Sequence, residues 1–462
     1  MNEYRNLLEH ASRIHFIGIG GSGMCPMAFL LKSRGCQVTG SDMYESETLQ
    51  RVRNSGIPVT LGHKAENIGD SEVIVYTAAC RQDNPELIAA KEKGIPAIER
   101  SVMLGYLASM FEMPVCISGT HGKTTTTALL TQILIEGGKD PSAIIGGMLP
   151  LINGNHRDGK SDILVCEACE YVDTFLQLEP AISIITNIDA DHLDYFKTLD
   201  NIIRSFHQFA QQTTQKIIVN GDNLNSMKSV AGIDRSRIIT FGIQPHNDYY
   251  AVEMNEEASA CENFTLMHKD SRLGRVNLKI PGVHNMYNAI AAAAAAYELG
   301  TDPKDICDAL GHFSGVHRRF EILGQFNGVT VADDFAHHPT ELTAVLNSAM
   351  RMGYDNVWAI FQPHTYSRTH NHFDEFLQAL KIPTHLIMTE ILAVREENIY
   401  DIHTEDLAKH LPGSVWFDSN EKIADYVINH AGKNDLILTL GGGDIYKCAN
   451  MIVDRYKKLE NQ

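Results

Sequence analysis

Residues 112–138, EMPVCISGTHGKTTTTALLTQILIEGG, decide how this chain is read. A short apolar run, PVCIS, breaks into glycines and then into a run of threonines and aliphatics. That is strand, glycine turn, helix. A Gly-Lys-Thr triplet (Gly122, Lys123, Thr124) stands at the turn. The familiar phosphate loop, Gly-x-x-x-x-Gly-Lys-Ser/Thr, would put a glycine at position 117, which is isoleucine. The physical requirements are nonetheless met. Backbone N–H groups must converge on an anion at a helix N-terminus, a lysine must reach the outer phosphates, and a hydroxyl must ligate Mg²⁺. Gly119, Gly122, Lys123 and Thr124 supply all three from a shorter loop. The competing reading is a glycine turn with a surface lysine. The strand before, the helix after and the threonines favour a nucleotide.

The same grammar extends in both directions. Upstream, RIHFIGIGG reads as a buried strand and its turn, MCPMAFLLKSRG as a helix, and CQVTGSD as a second strand closing on an acid. SEVIVYTAAC and NPELIAAKEKG repeat the pattern, which implies βαβ units and a parallel sheet. Downstream, DILVCEACEY and AISIITNID are further buried strands, and HNMYNAIAAAAAAYELG is a helix whose alanines permit close packing. VTVADDFAHHPTEL, NVWAIFQPHTYSRT, THLIMTEIL and DLILTLGGGD each look like a strand ending in a polar loop. The expected architecture is α/β with three domains and boundaries near residues 110 and 315. These are a Rossmann-like domain over 1–110, a central P-loop ATPase-like domain over 111–315 and a C-terminal Rossmann-like domain over 316–462.

The 462 residues are too many for one core, and 44% hydrophobic with 21% charged residues is ordinary for a globular enzyme. A formal charge of -18 argues against a nucleic-acid surface, though not against a local basic pocket for a small anion. Nine dispersed cysteines read as reduced thiols. The opening MNEYRNLLEHASR is charged and helical rather than a leader, and no stretch approaches a membrane span. The expectation is a cytoplasmic protein.

GIGGSGM, residues 18–24, fits Gly-x-Gly-x-x-Gly through Gly18, Gly20 and Gly23, with Gly21 extra and Ser22 between. Asp42 ends the next strand, which is the dinucleotide-binding layout. The obvious ligand is NAD. The pattern reports only that a diphosphate can sit on a helix N-terminus, and a nucleotide-sugar diphosphate satisfies it equally.

Polar strand ends supply the remaining candidates. VCEACEY holds a Cys-x-x-Cys at Cys166 and Cys169, but without a second pair it reads as structural thiols rather than zinc or redox chemistry. Glu167 and Glu170 have no reason of stability to end a buried strand, and hard oxygens there suit Mg²⁺ beside a triphosphate. His192, flanked by Asp189, Asp191 and Asp194, suits a metal ligand or a helix cap. ADDFAHHPTEL pairs Asp333 and Asp334 with His337 and His338, and FQPHTYSRT gives His364 and Arg368. An arginine at a strand end can hold a carboxylate in a fork; the alternative is a surface ion pair.

Taken together and in order, GTHGKTTTT, TNIDADHLDYF, GVHNMYNAIAAA, GVHRRFEILG and DDFAHHPTE resemble the successive motifs of the Mur ligase family. The resemblance runs from IHFIGIGGSGM to LTLGGGD, nearly the whole chain, and the short phosphate loop is similar to the family's. It implies amide synthesis driven by ATP and Mg²⁺ through an acyl phosphate. GIGGSGM, DDFAHHPTEL and FQPHTYSRT most resemble the branch that joins L-alanine to UDP-N-acetylmuramate.

By that resemblance, Gly119, Thr120, His121, Gly122, Lys123, Thr124 and Thr125 cradle the phosphates. Thr124 and Glu167 hold one Mg²⁺ and His192 a second. His284, Asn285 and Asn288 meet the adenine, Arg319 the γ-phosphate and Asp334 the ribose. His337, His364 and Arg368 face L-alanine. Gly18, Gly20, Gly21, Ser22, Gly23 and Asp42 take the UDP-sugar rather than NAD.

The sequence departs from the family pattern in four places. Some members carry a carbamoylated lysine after the His192 position; no lysine lies between Lys197 and Lys216 here, and none is expected. Thr365 stands where many alanine-adding members have arginine, Phe335 where they have tyrosine, and Cys169 where they have aspartate. Rival readings are a ligase that recycles a whole tripeptide onto the same sugar, an NAD-dependent oxidoreductase and a non-catalytic nucleotide sensor. The oxidoreductase leaves Glu167, His192 and Arg319 without a task. The sensor has no use for His364 and Arg368.

Overall fold

The computed structural model describes residues 2–77, 80–254, 261–394 and 396–460. The chain forms two compact units. One comprises Met1–Val252, Leu266–Gly274 and Tyr287–Leu310, the other Glu253–Thr265, Arg275–Met286 and Gly311–Gln462. Three sheets organise them.

The first sheet is entirely parallel, in the order Val59–Leu61, Gln37–Asp42, Arg13–Ile17, Val73–Tyr76, Ala97–Glu99. Strand order reverses beside Arg13–Ile17, so the glycine turn that follows this strand lies at the switch point, where α/β sheets bind ligands. The helix after it, Cys25–Ser33, carries Pro26 in its first turn, where a missing N–H costs nothing.

Seven of the ten strands of the second sheet run in the order Ile238–Phe241, Lys216–Asn220, Ile182–Ile185, Met113–Ser118, Ile163–Glu167, Ser142–Leu149, Gly154–Arg157. The three central strands are parallel, with Ile117 opposite Glu167 and Ser118 opposite Ile185. Their C-terminal ends therefore open on one edge, and the polar residues that follow each are brought together. Both faces are covered, so the strands read as continuous apolar runs. The final pair is an antiparallel hairpin, Ser142–Leu149 with Gly154–Arg157, which the sequence reading does not include.

The third sheet has the order Glu321–Phe326, Val329–Asp334, Asp435–Leu440, Asn356–Phe361, His385–Met388, Val415–Trp416. The first pair is antiparallel and the rest are parallel. Again the parallel strand ends share an edge: Asp334, Leu440 and Phe361 lie in register there. In the helix Val283–Glu298, Ala289 and the run Ala291–Ala296 are completely buried, as the alanine tract predicts. Among the described residues, no helix is long and apolar enough to cross a membrane.

Candidate active site

The phosphate loop joins Met113–Ser118 to the helix Lys123–Glu136. Gly119 and Gly122 have φ of 136° and 84°. A Cβ on Gly119 would stand 2.0 Å from Thr186 Oγ1, and one on Gly122 would stand 2.3 Å from Asn288 Oδ1. Conformation and crowding both require glycine at these two positions.

The loop is clasped by the residues after the neighbouring strand. Thr120 N–H donates to the Asn187 carbonyl (2.9 Å) and His121 N–H to Asn187 Oδ1 (2.9 Å). The Asn187 amide and the Thr186 hydroxyl both donate to the His121 carbonyl (3.0 and 2.6 Å). Asp189 N–H donates to Thr120 Oγ1 (2.9 Å). Sequence reasoning missed Asn187; its signal was an amide placed directly after a buried strand in TNID. No side chain caps the helix Lys123–Glu136, so its first-turn amides at Lys123, Thr124 and Thr125 are available to an anion.

Lys123 Nζ donates to the carbonyls of Gly119 (2.5 Å) and Thr120 (3.0 Å) and pairs with Glu170 at 2.9 Å. Burial disfavours its charge, but facing carboxylates, Glu170 foremost, reverse this and hold the ammonium above its ordinary pKa. It is therefore a cation at any working pH. Thr124 donates to Glu167 Oε2 (3.2 Å), and Glu167 Oε1 accepts from Gly146 N–H (2.5 Å). A hydroxyl and a carboxylate side by side form a hard-oxygen donor set that fits Mg²⁺, which takes one or two protein ligands and completes its shell with phosphate and water. Among the described residues no three His, Cys, Asp or Glu side chains form a metal cluster.

His192 has φ of 53°, its ring lies 4.6 Å from that of Tyr171, and its Nε2 is 3.7 Å from Asp191. No side chain caps the short helix Leu193–Phe196 that follows. Asn288 accepts from Thr126 (3.3 Å) and abuts Gly122, beneath the loop. Asn285 donates to the Pro281 carbonyl (2.7 Å), and His284 packs on Gly282. Cys166 faces Cys116 across the parallel pair at 3.6 Å and is fully buried, while burial pushes the Cys169 thiol up. The two are structural thiols, not a redox pair.

In the glycine turn of the first sheet, Asp42 Oδ2 accepts from Gly20 N–H (2.9 Å), and Gly18 has φ of 80°. The amides of Gly18 and Ile19 donate to Ser41 O, Gly21 to Gly18 O, and Met24 and Cys25 to Gly21 O. The amides of Ser22 and Gly23 donate to no other described residue. Asp42 thus shapes the turn. Glycine at 23 leaves room for Arg100, whose Nη1 would lie 3.1 Å from a Cβ there.

The third sheet separates neighbours that the sequence could not. Arg318 has φ of 61° and is committed: its guanidinium bonds Asp333 (3.0 Å) and the Gly441 carbonyl (2.7 Å) and lies over Phe335 and Tyr446. Arg319 lies over Phe335, 5.0 Å from the ring centre, with Asp334 near enough to feel its charge. Asp334 accepts from Phe320 N–H (2.7 Å) and Ala336 N–H (2.6 Å). Burial pushes its carboxyl up to about 6 against the pull of Arg319 and these amides. Its Oδ2 therefore holds the segment that carries Arg319, and its Oδ1 holds the turn after its own strand.

His338 caps the helix Pro339–Met350 and is buried, whereas His337 faces His364 with ring centres 5.2 Å apart. His337 Nδ1 lies 2.9 Å from the Phe335 carbonyl. A carbonyl only accepts, so this nitrogen carries the proton and Nε2 offers a lone pair. His364 Nδ1 lies 3.3 Å from Arg368 Nη1, which only donates, so here the proton is on Nε2. Burial, then His337 and Arg368, push His364 down to about 3 and keep it neutral. The pair presents one acceptor and one donor beside an arginine, which suits an amine and a carboxylate on one molecule.

Comparisons with known proteins agree with this geometry. Residues 13–112 match the model of the Mur ligase family catalytic domain, 117–296 the Mur ligase middle domain and 318–443 the Mur ligase glutamate ligase domain. The chain is 39% identical over 98% of its length, and 99% of the relative's, to UDP-N-acetylmuramate–L-alanine ligase of Caldanaerobacter subterraneus subsp. tengcongensis. It is 40% identical to the protein of that name from Caldicellulosiruptor saccharolyticus, covering 96% of this chain and 99% of the relative. The solved UDP-N-acetylmuramate-alanine ligase of Thermotoga maritima superposes with a TM-score of 0.83 at 28% identity, covering 96% and 99% of the two chains. A murein peptide ligase from Psychrobacter arcticus follows at 0.74 and 25%, covering 96% and 98%. With three family domains in sequence over a short phosphate loop backed by Glu167 and Glu170, the chain belongs to the Mur ligase family.

Proposed function

We propose that this chain joins L-alanine to the carboxylate of UDP-N-acetylmuramate at the expense of ATP, giving UDP-N-acetylmuramoyl-L-alanine, ADP and phosphate. The observation that carries the reading is the pairing of His337, His364 and Arg368 at one strand edge in a chain whose full-length relatives bear that activity's name.

ATP phosphates bind the amides of the loop and the first helical turn, displacing the loop carbonyls from Lys123. Mg²⁺, held by Thr124 and Glu167 with His192 near a second ion, supplies charge neutralisation when bound. The sugar carboxylate attacks the γ-phosphorus and ADP leaves, so an acyl phosphate forms. Lys123 and Arg319 neutralise the charge that develops on the transferred group. The alanine amine then attacks the acyl carbon; phosphate leaves and the amine gives up a proton. In this reading His337 Nε2 receives it, while Arg368 and His364 Nε2–H hold the amino-acid carboxylate. Asn288 supports the adenine side with His284 and Asn285, Asp334 holds the Arg319 loop, and Asp42 shapes the turn whose Ser22 and Gly23 amides meet the UDP diphosphate.

The test is phosphate release from ATP with Mg²⁺ and UDP-N-acetylmuramate, with amino acids added singly. Release that needs both the sugar and L-alanine is expected. Release with a tripeptide in place of L-alanine would move the chain to a recycling ligase.

A further inference from the structure

The amino-acid cluster leaves one part of its substrate unassigned. Arg368 and His364 account for a carboxylate and His337 for an amine, so the question is which group meets the side chain. Phe335 and Leu392 both border this edge. Phe335 is already occupied: its ring carries both the Arg318 and the Arg319 guanidinium, at 4.9 and 5.0 Å. The backbone of Leu392 bridges His364 in parallel, donating to the Pro363 carbonyl and accepting from Thr365 N–H, each at 2.9 Å. The histidine and the leucine are thereby locked to one another.

Opposite them runs the glycine strand end. A Cβ on Gly442 would stand 3.1 Å from the His337 ring and 3.3 Å from that of His364. A Cβ on Gly443 would collide with Leu392 Cδ2 at 2.3 Å and with Gln362 Oε1 at 2.6 Å. Consecutive glycines thus keep the imidazoles on one side and Leu392 on the other at contact distance from bare backbone. A small substrate seated on this floor with its charged ends on His337, His364 and Arg368 has Leu392 as its apolar neighbour.

We infer that Leu392 is the specificity-determining residue for the amino acid, setting the size of the side chain that the cluster accepts. The inference rests on the ligase reading above. Leu392 packs against the substrate methyl, glycine leaves that contact unmade, and one further methylene meets the leucine Cδ2.

The test compares the full chain with Leu392→Ala and Leu392→Phe, measuring phosphate release with ATP, Mg²⁺, UDP-N-acetylmuramate and glycine, L-alanine or L-2-aminobutyrate. Leu392→Ala is expected to raise the ratio of kcat/KM for L-2-aminobutyrate over L-alanine about tenfold, the discrimination typical of one methylene. Leu392→Phe is expected to shift preference toward glycine. The KM for ATP stays unchanged in both, which a merely structural role would not predict. Wild-type turnover with L-alanine and unmoved ratios in whichever variant folds overturns this inference alone. Wild type that turns over none of the three amino acids overturns the ligase reading and this inference with it.

Discussion

The phosphate loop and the amino-acid cluster solve opposite electrostatic problems on the same kind of strand edge. At the loop a buried cation is kept charged: Lys123 sits within 2.9 Å of Glu170, and the carboxylates outweigh the burial. At the cluster a buried imidazole is kept neutral: burial first, then His337 and Arg368, push His364 down to about 3. At the loop the neighbours override burial, whereas at the cluster burial leads and the neighbours add to it. A site that must meet polyphosphate needs a permanent positive charge. In the reading above, the amino-acid site uses the neutral His364 as a hydrogen-bond donor beside Arg368.

Substitutions at the two regions should separate these roles. The largest effect is expected from Lys123→Ala, with turnover down by about 10³-fold or more, since it removes the charge nearest the transferred group. Near-normal phosphate release in that variant would break the comparison at its strongest point. Arg368→Ala is expected to raise the apparent KM for L-alanine about 10–100-fold, the worth of a charged hydrogen bond, and to leave the KM for the UDP-sugar in place. Weakening of the sugar alone would show that the amine site lies elsewhere.

The smallest effect concerns stability. His364 has a folded pKa below its ordinary value, so the unfolded chain binds more protons between about pH 3 and pH 6.5, and stability falls on acidification through that window. His364→Gln should reduce the loss between pH 7 and pH 5 by at most about 2 kcal/mol. Urea unfolding at both pH values reads it, and an identical loss in variant and wild type would mean that His364 is not held neutral.

The α/β class and its three-part organisation were legible because buried parallel strands are written as unbroken apolar runs ending in glycine or acid. PVCIS, DILVCE and AISII carry that signal, and their adjacency brings Gly119, Glu167 and Asn187 to one edge. Two kinds of feature were not legible. The hairpin Ser142–Leu149 with Gly154–Arg157 and the antiparallel strand Glu321–Phe326 have no clean alternation of buried and exposed residues, although each pairs with its neighbour in sequence. Adjacent residues of the same type were also indistinguishable. Arg318 and Arg319, or His337 and His338, share their chemistry. What divides them is backbone direction, which sends Arg318 to Asp333 and makes His338 a helix cap.

The clasp of Asn187 on the loop has a consequence for exchange of amide hydrogens with solvent. Thr120 and His121 amides are spent on Asn187, whereas those of Lys123, Thr124 and Thr125 await an anion. In deuterated water the first two should be slow whether or not nucleotide is present, and the other three should slow when it arrives. These five positions within one six-residue stretch would then carry both a reference and a reporter, so that filling of the loop could be timed without following the reaction at all.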